Sequence, residues 1–569
     1  MTPVGLSDHR PQESAEEAFL ATPFEISDRM TEQLCDLSPM EATDAGVPGR
    51  DHLWDDLSPQ GFEARAKFYE AAISELEPHL DHPERKQAVA ARVLTSAARE
   101  VLAKFENGHH LVDLNHIHSP VQSIRDVFDL MNHEDDDGWN AIVTRLMTID
   151  EPLDGYRQCL QEGIDTGKLV ARRQVHSVIE QTRSLASDQS RFLKYLQLAE
   201  RHGRDQTEIE EAVAKARRAF GDMADWLEGE YLPHAAESDA VGRERYLRAT
   251  DLFLGIEIDP EETYEWGWEE IRDLRAQMEK TASEIDPEMT IEEVIQLLDT
   301  DPDRSAPSHE EFARFVEEIQ AEAVEQLAGE HFEVPDELRK VNVNIAPGDG
   351  ALGAWYHAPS EDMSRPGSIW YAPGSRTAIP VWQEVSTAYH EGFPGHHLQV
   401  GIAVLLREEV SRFHRLFLWK SGAGEGWALY AERLMDELGY FAKPEYRLGL
   451  LASQLFRATR VVVDIGTHLQ LRIPDDAPLH AGKMWDYDIA VDYMDHIGLQ
   501  ERDVAESEVK RYLGWYGQAI SYKVGEREIL KMRKERKARE GDNFDLKRFH
   551  QDLLEAGAIR LDQVRELVI

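Results

Sequence analysis

Between residues 390 and 397 the chain places three imidazoles and one carboxylate, in the order His390-Glu391-Gly392-Phe393-Pro394-Gly395-His396-His397. Neutral imidazole is a preferred zinc ligand, and a Glu beside a ligand is the usual general base for zinc-bound water. The standard arrangement, HExxH, sets both His one helical turn apart on one face. Here the spacing is six residues. Over six residues a straight helix rises about 9 Å and turns to another face, and over seven it regains the face after about 10.5 Å. Neither pair could share one ion at bond lengths of about 2.1 Å. The helix must therefore bulge or break, and Gly392, Pro394 and Gly395 permit it. Read so, the motif is HExxH with two residues inserted. His390 and His396 are candidate ligands and Glu391 the candidate base. His397 is either the alternative to His396 or a substrate-facing residue.

A zinc site needs a third protein ligand and an open position for water. Glu425 lies between Gly424 and Gly426, about 35 residues downstream on an amphipathic segment. Glu432, seven residues on, shares its face and could orient a ligand. Farther along, Arg457, Arg460, Asp464 and His468 form one stripe on an otherwise apolar helix spanning roughly Tyr446 to Gln470. Buried charges must be paired, so this stripe either faces a cleft or forms an ion network. In the first case Arg457 or Arg460 would clamp a substrate carboxylate and His468 would help stabilise an oxyanion. Tyr522, within Gly517–Gly525, is a candidate oxyanion donor.

The elements that must hold these groups are mostly helical. Apolar residues recur at three- and four-residue spacing over Phe62–Glu77, Lys86–Phe105, Thr207–Glu228 and Ile291–Leu298. Asp259-Pro260 and Asp286-Pro287 mark helix boundaries. Val341–Ile345 alternates as a half-buried strand does, a Gly-rich turn follows over Pro347–Gly353, and Ala354–His357 and Ser368–Tyr371 are further strand candidates. A second histidine group, His109, His110, His116 and His118, reads as a loop before Pro120 with no base after it.

The 569 residues carry 108 Asp+Glu against 62 Lys+Arg, a formal charge of -46. A field of that sign repels nucleic acid and anionic lipid. Two cysteines, Cys35 and Cys159, exclude a disulfide framework and a Cys-based zinc site. The segment MTPVGLSDHRPQESAEEAF has neither the basic nor the apolar stretch of a signal peptide. No apolar run approaches the roughly 18 residues a membrane span needs. The expected location is the cytoplasm, with no nucleic-acid or membrane partner.

The segments HEGFPGHHLQ, EGWALYAERL, RATRVVVDIGTH and GQAISYKVG occur in that order. Together they resemble the bacterial family known as domain of unknown function 885, grouped with zincin-like metallopeptidases. One departure is Tyr516, where the family usually has Pro before the Gly of GQAISY. The resemblance implies a helical fold like that of the gluzincin peptidases, with His390 and His396 as ligands, Glu391 as base and Glu425 as third ligand. The combined expectation is a mainly α, two-lobed zincin-like metallopeptidase fold with a small β element beside the cleft. Residues 1–240 would form an N-terminal helical region and 241–569 the metallohydrolase region, or the two would join in one domain. The expected activity is zinc-dependent hydrolysis of small peptides, carboxypeptidase- or dipeptidase-like, with one zinc per chain. The alternatives are a zinc amidase on a non-peptide amide and a non-catalytic helical scaffold with a degenerate site.

Overall fold

Capping side chains set where the helices begin. Asp259 accepts from the Glu262 amide at 3.0 Å, with Pro260 at the first helical position, and so opens the helix Pro260–Ile285. Thr290 and Glu293 form a reciprocal capping box at the head of Ile291–Thr300. The computed structural model describes residues 21–346, 353–374 and 376–569. The readings of the N-terminal segment and of the Gly-rich turn over 347–352 lie outside the described residues. Helix makes up 68% and strand 4%, so the fold is mainly α.

The strands are short. β1 (Ser305–Ala306), β2 (Asn342–Ile345), β3 (Gly353–His357), β4 (Ser368–Ala372) and β5 (Ile379–Pro380) form two small sheets. β1 pairs antiparallel with β5. The other sheet has the order β2-β4-β3, with β2 parallel and β3 antiparallel to β4. Val343 stands opposite Ile369 and Trp355 opposite Trp370. Ile369 and Tyr371 are buried against Phe312 and Val316 of the helix His309–Leu327 and against Ala388. The sheet is thereby seated on the helix Glu384–Glu391, which ends in His390 and Glu391.

The largest hydrophobic core draws on residues 246–568 together with Val93, and a second core on residues 40–235. Within the first, the helices Ser421–Glu437 and Ser521–Glu540 cross where Gly422, Gly426 and Gly525 meet. A Cβ on Gly426 would lie 2.5 Å from the backbone carbon of Gly525, and one on Gly525 would overlap the Gly422 carbonyl oxygen. The glycines thus let two backbones touch, and this brings Glu425 and Tyr522 onto adjoining elements. Because the obstacle is backbone, Gly525→Ala forces the helices apart. We expect a stability loss of about 1–3 kcal/mol, read as a lowered unfolding midpoint in urea.

Candidate metal centre

The break required by the six-residue spacing lies where the Gly and Pro residues fall. The helix Glu384–Glu391 stops at Gly392, the Phe393–Pro394 peptide is cis, and a new helix, His396–Leu405, starts after Gly395. A Cβ on Gly395 would overlap the His390 carbonyl oxygen. Only glycine allows the chain to turn back that closely. Gln320, buried on the helix His309–Leu327, braces the turn: its amide donates to Ala388 O at 2.8 Å and its carbonyl accepts from Phe393 N at 2.5 Å. The Trp427 indole donates to Pro394 O at 2.9 Å. Neither residue was marked by the sequence reading. A Gln one turn after Val316 on the apolar face was the one available signal for the first.

The turn sets the His390 and His396 rings 4.8 Å apart, nearly perpendicular. Nε2 of each lies 3.3 Å from Glu425 Oε2. The three atoms all fall within 4.8 Å of one another. His397 points elsewhere: its ring nitrogens lie 3.1 Å from the Tyr356 hydroxyl and 3.1 Å from the Leu338 carbonyl oxygen. The ring is 1% exposed, and burial depresses its pKa to about 4. Of the two candidates for second ligand, the geometry brings His396 to His390 and Glu425.

Behind the triad, His390 Nδ1 lies 2.7 Å from Glu432 Oε1, and Ser386 donates to Glu432 Oε2 at 2.5 Å. A carboxylate partner requires the proton on Nδ1, which in the neutral ring leaves the Nε2 lone pair facing Glu425. Glu425 Oε2 is buried and has no hydrogen-bond donor among the described residues. Two imidazole nitrogens and an orphaned carboxylate oxygen converging on one point form a set that suits zinc. Burial opposes charging His390, yet its 3.3 Å approach to Glu425, its hydrogen bond to Glu432 and the Glu391 charge hold its pKa up at about 10. Burial likewise opposes ionising Glu425, but His396 and His390 keep its pKa below the ordinary range. Glu432→Ala is expected to weaken zinc binding about 10–100-fold, measured by competition with a fluorescent chelator.

Glu391 follows His390 directly. Its Oε1 is 4.0 Å from His390 Nε2, its side chain is 11% exposed, and it makes no hydrogen bond to a described residue. The Tyr522 ring lies parallel to His390 at 6.4 Å, and its hydroxyl accepts from Arg511 Nη2 at 3.3 Å. Trp419, 45% exposed, has its ring 5.6 Å from His396. Glu425, Tyr522, Trp419 and Arg511 all line a cleft of about 1710 Å³.

The stripe on the helix Pro444–Leu469 forms a buried network and does not wall this cleft. Arg460 donates to the Tyr512 hydroxyl at 3.0 Å and pairs with Glu508 at 2.9 Å. Arg457 lies 3.9 Å from Glu432 and so stands behind His390. Asp464 accepts from the Tyr246 hydroxyl and the Gly517 amide, and burial raises its pKa to about 7. His468 has no exposed surface, stacks on Tyr246 and contacts Tyr512 O at 3.1 Å. A ring so enclosed cannot touch a substrate, and its expected catalytic role is corrected on that ground. The expected carboxylate clamps Arg457 and Arg460 do not line the cleft: Arg460 is paired with Glu508 and lies over the Tyr522 ring at 4.8 Å, and Arg457 lies beside Glu432. The same holds for His397 as a substrate-facing residue.

Residues 39–568 match a family described as "Bacterial protein of unknown function (DUF885)". The chain belongs to this family. Two solved structures resemble this DUF885 chain over nearly its whole length. One is described as a "putative lipoprotein from Colwellia psychrerythraea", with 21% identity, a TM-score of 0.83, and coverage of 96% of this chain and 98% of that one. The other is a "putative lipoprotein of unknown function from Shewanella oneidensis", with 19% identity, a TM-score of 0.71, and coverage of 96% and 99%. At these identities the likeness concerns the fold. No curated protein matches the DUF885 chain. No described helix is long and apolar enough to cross a membrane.

Proposed function

We propose that this protein is a zinc-dependent hydrolase of small peptides, built on a two-lobed zincin-like fold. The observation that carries the reading is the convergence of His390 Nε2, His396 Nε2 and Glu425 Oε2 next to the unengaged carboxylate of Glu391. These three residues would hold one zinc ion, which supplies Lewis-acid polarisation of the scissile carbonyl and a water of lowered pKa. Glu391 accepts the proton of the attacking water and returns it to the leaving nitrogen. Tyr522, oriented by Arg511, donates to the carbonyl oxygen as charge develops there. Glu432 keeps His390 in the ligating tautomer. Trp419 offers a flat apolar wall beside His396 for a substrate side chain.

The test is to assay purified, zinc-loaded protein against peptide mixtures with free and blocked termini, reading the products by mass spectrometry. Cleavage abolished by chelation and restored by zinc is the expected result. A protein that holds one zinc per chain and cleaves no peptide would sink the peptidase reading and turn attention to non-peptide amides. A protein that holds no zinc would favour the scaffold.

A further inference from the structure

The cleft that reaches Glu425 and Tyr522 reverses the charge of the molecule around it. Ten Lys or Arg residues line it against six Asp or Glu, in a chain whose formal charge is -46. Several of these cations are spoken for: Lys420 and Arg560 both pair with Glu100. Two are not. Lys104, on the helix Arg85–Glu106, makes no hydrogen bond or ion pair with any described residue. Arg245, on the helix Arg243–Leu254, donates to the Tyr516 hydroxyl at 2.7 Å and meets no carboxylate among the described residues. Lys104 is open to the cleft yet surrounded by protein, and that burial, with the nearby Lys420 charge, lowers its pKa against the pull of Glu100, Asp113 and Glu41, none of which pairs with it directly. The fields of Lys104 and Arg245 meet at His109, whose pKa falls to about 3, through burial first and these two charges next. His109 is therefore a neutral polar group between two cations.

A partly desolvated cation that makes no ion pair is costly, and it becomes favourable once an anion arrives in contact with it. The cleft is also larger than the roughly 1,000 Å³ that bounds most small-ligand pockets. It has room for a peptide of several residues. Lys104 and Arg245 stand singly on separate helices, and Asp113 and Glu41 share the wall. A single cation on each of two helices, with carboxylates beside them, suits monoanionic carboxylates better than a dianionic phosphate, which would meet the repulsion of Asp113 and Glu41 with twice the charge.

We infer that the cleft selects acidic peptides, with Lys104 and Arg245 each binding a substrate carboxylate. The fate of the bound peptide rests on the hydrolase reading, but the binding does not. The measurement is calorimetric titration of full-length, zinc-loaded Glu391→Gln protein with two N-acetylated, C-amidated hexapeptides. One alternates Ala and Glu, the other Ala and Gln. The Glu peptide should bind about tenfold tighter or more in low salt, with the ratio shrinking as salt is added. Lys104→Gln and Arg245→Gln together should bring the ratio to about one, leaving the Gln-peptide affinity and the zinc content unchanged. Lys104→Gln alone removes no hydrogen bond or ion pair, and an unchanged unfolding midpoint in urea separates lost binding from lost folding. Equal affinities, no binding of either peptide, or a preference that survives both substitutions would overturn the inference. Tight binding of the Glu peptide, with no cleavage by the wild-type protein of either this peptide or its counterpart with free termini, would sink the hydrolase reading and leave this one standing.

Discussion

Glu391→Gln is expected to lower peptide turnover about 10²–10⁴-fold while zinc stays at one ion per chain. The amide has the shape of the carboxylate and can still hydrogen-bond water, but it cannot take the proton that the attacking water must lose. Few confounding effects are expected. The Glu391 carboxylate makes no hydrogen bond to a described residue, and its nearest charged partner, His390 Nε2, is 4.0 Å away. Nothing in the fold is undone by the exchange, so the unfolding midpoint should hold. KM should change little, because the loss falls on proton transfer rather than on binding. The check is kcat and KM for any peptide found cleavable, with metal content from the same preparation. Retained turnover in a zinc-loaded variant would remove Glu391 from the mechanism.

What could be read from the sequence was local, and what could not was tertiary. The helix reading over Lys86–Phe105 becomes Arg85–Glu106, and Ile291–Leu298 becomes Ile291–Thr300, because periodicity and caps are properties of neighbouring residues. The break in the histidine motif was legible for the same reason: six-residue spacing cannot bind one ion on a straight helix. Which of His396 and His397 turns toward His390 was not legible. That choice depends on the dihedrals at Gly395 (φ -74°, ψ -128°) and on the brace from Gln320, which lies 73 residues before the Phe393 it holds. The stripe of Arg457, Arg460 and His468 shows the same limit. Its periodicity places the residues on one face and its composition implies burial, but nothing in it says which neighbour that face meets. The neighbours are Glu508, Tyr512 and Tyr246. Conversely, His109 and His118 lack the pattern of a metal site yet line the cleft beside Trp515, on a wall that only folding creates.

His390→Ala and Glu425→Ala should both abolish stoichiometric zinc binding, yet they should differ in stability. With three protein ligands in the set, loss of any one leaves two, too few for a stable site open to water. Metal analysis after dialysis should therefore fall from about one zinc per chain to a small fraction in each variant. Stability separates them because their surroundings differ. His390 is the neutralising partner of Glu432, whose side chain is 1% exposed and whose other contacts are Ser386 at 2.5 Å and Arg457 at 3.9 Å. Removing the imidazole strands a buried carboxylate, a loss of about 3–5 kcal/mol when nothing replaces it and less here because Arg457 stays close. Glu425 stands at the cleft wall, and its removal takes an attraction from His390 and His396 but leaves His390 paired with Glu432, a smaller loss than a stranded carboxylate. Against chelated wild-type protein, His390→Ala should unfold at clearly lower urea concentration and Glu425→Ala at one between the two. If Glu425→Ala kept its zinc while His390→Ala lost it, the third ligand would have to be sought elsewhere. Glu391, whose Oε1 is 4.0 Å from His390 Nε2, would be the first candidate, and its assignment as base would fall with that result.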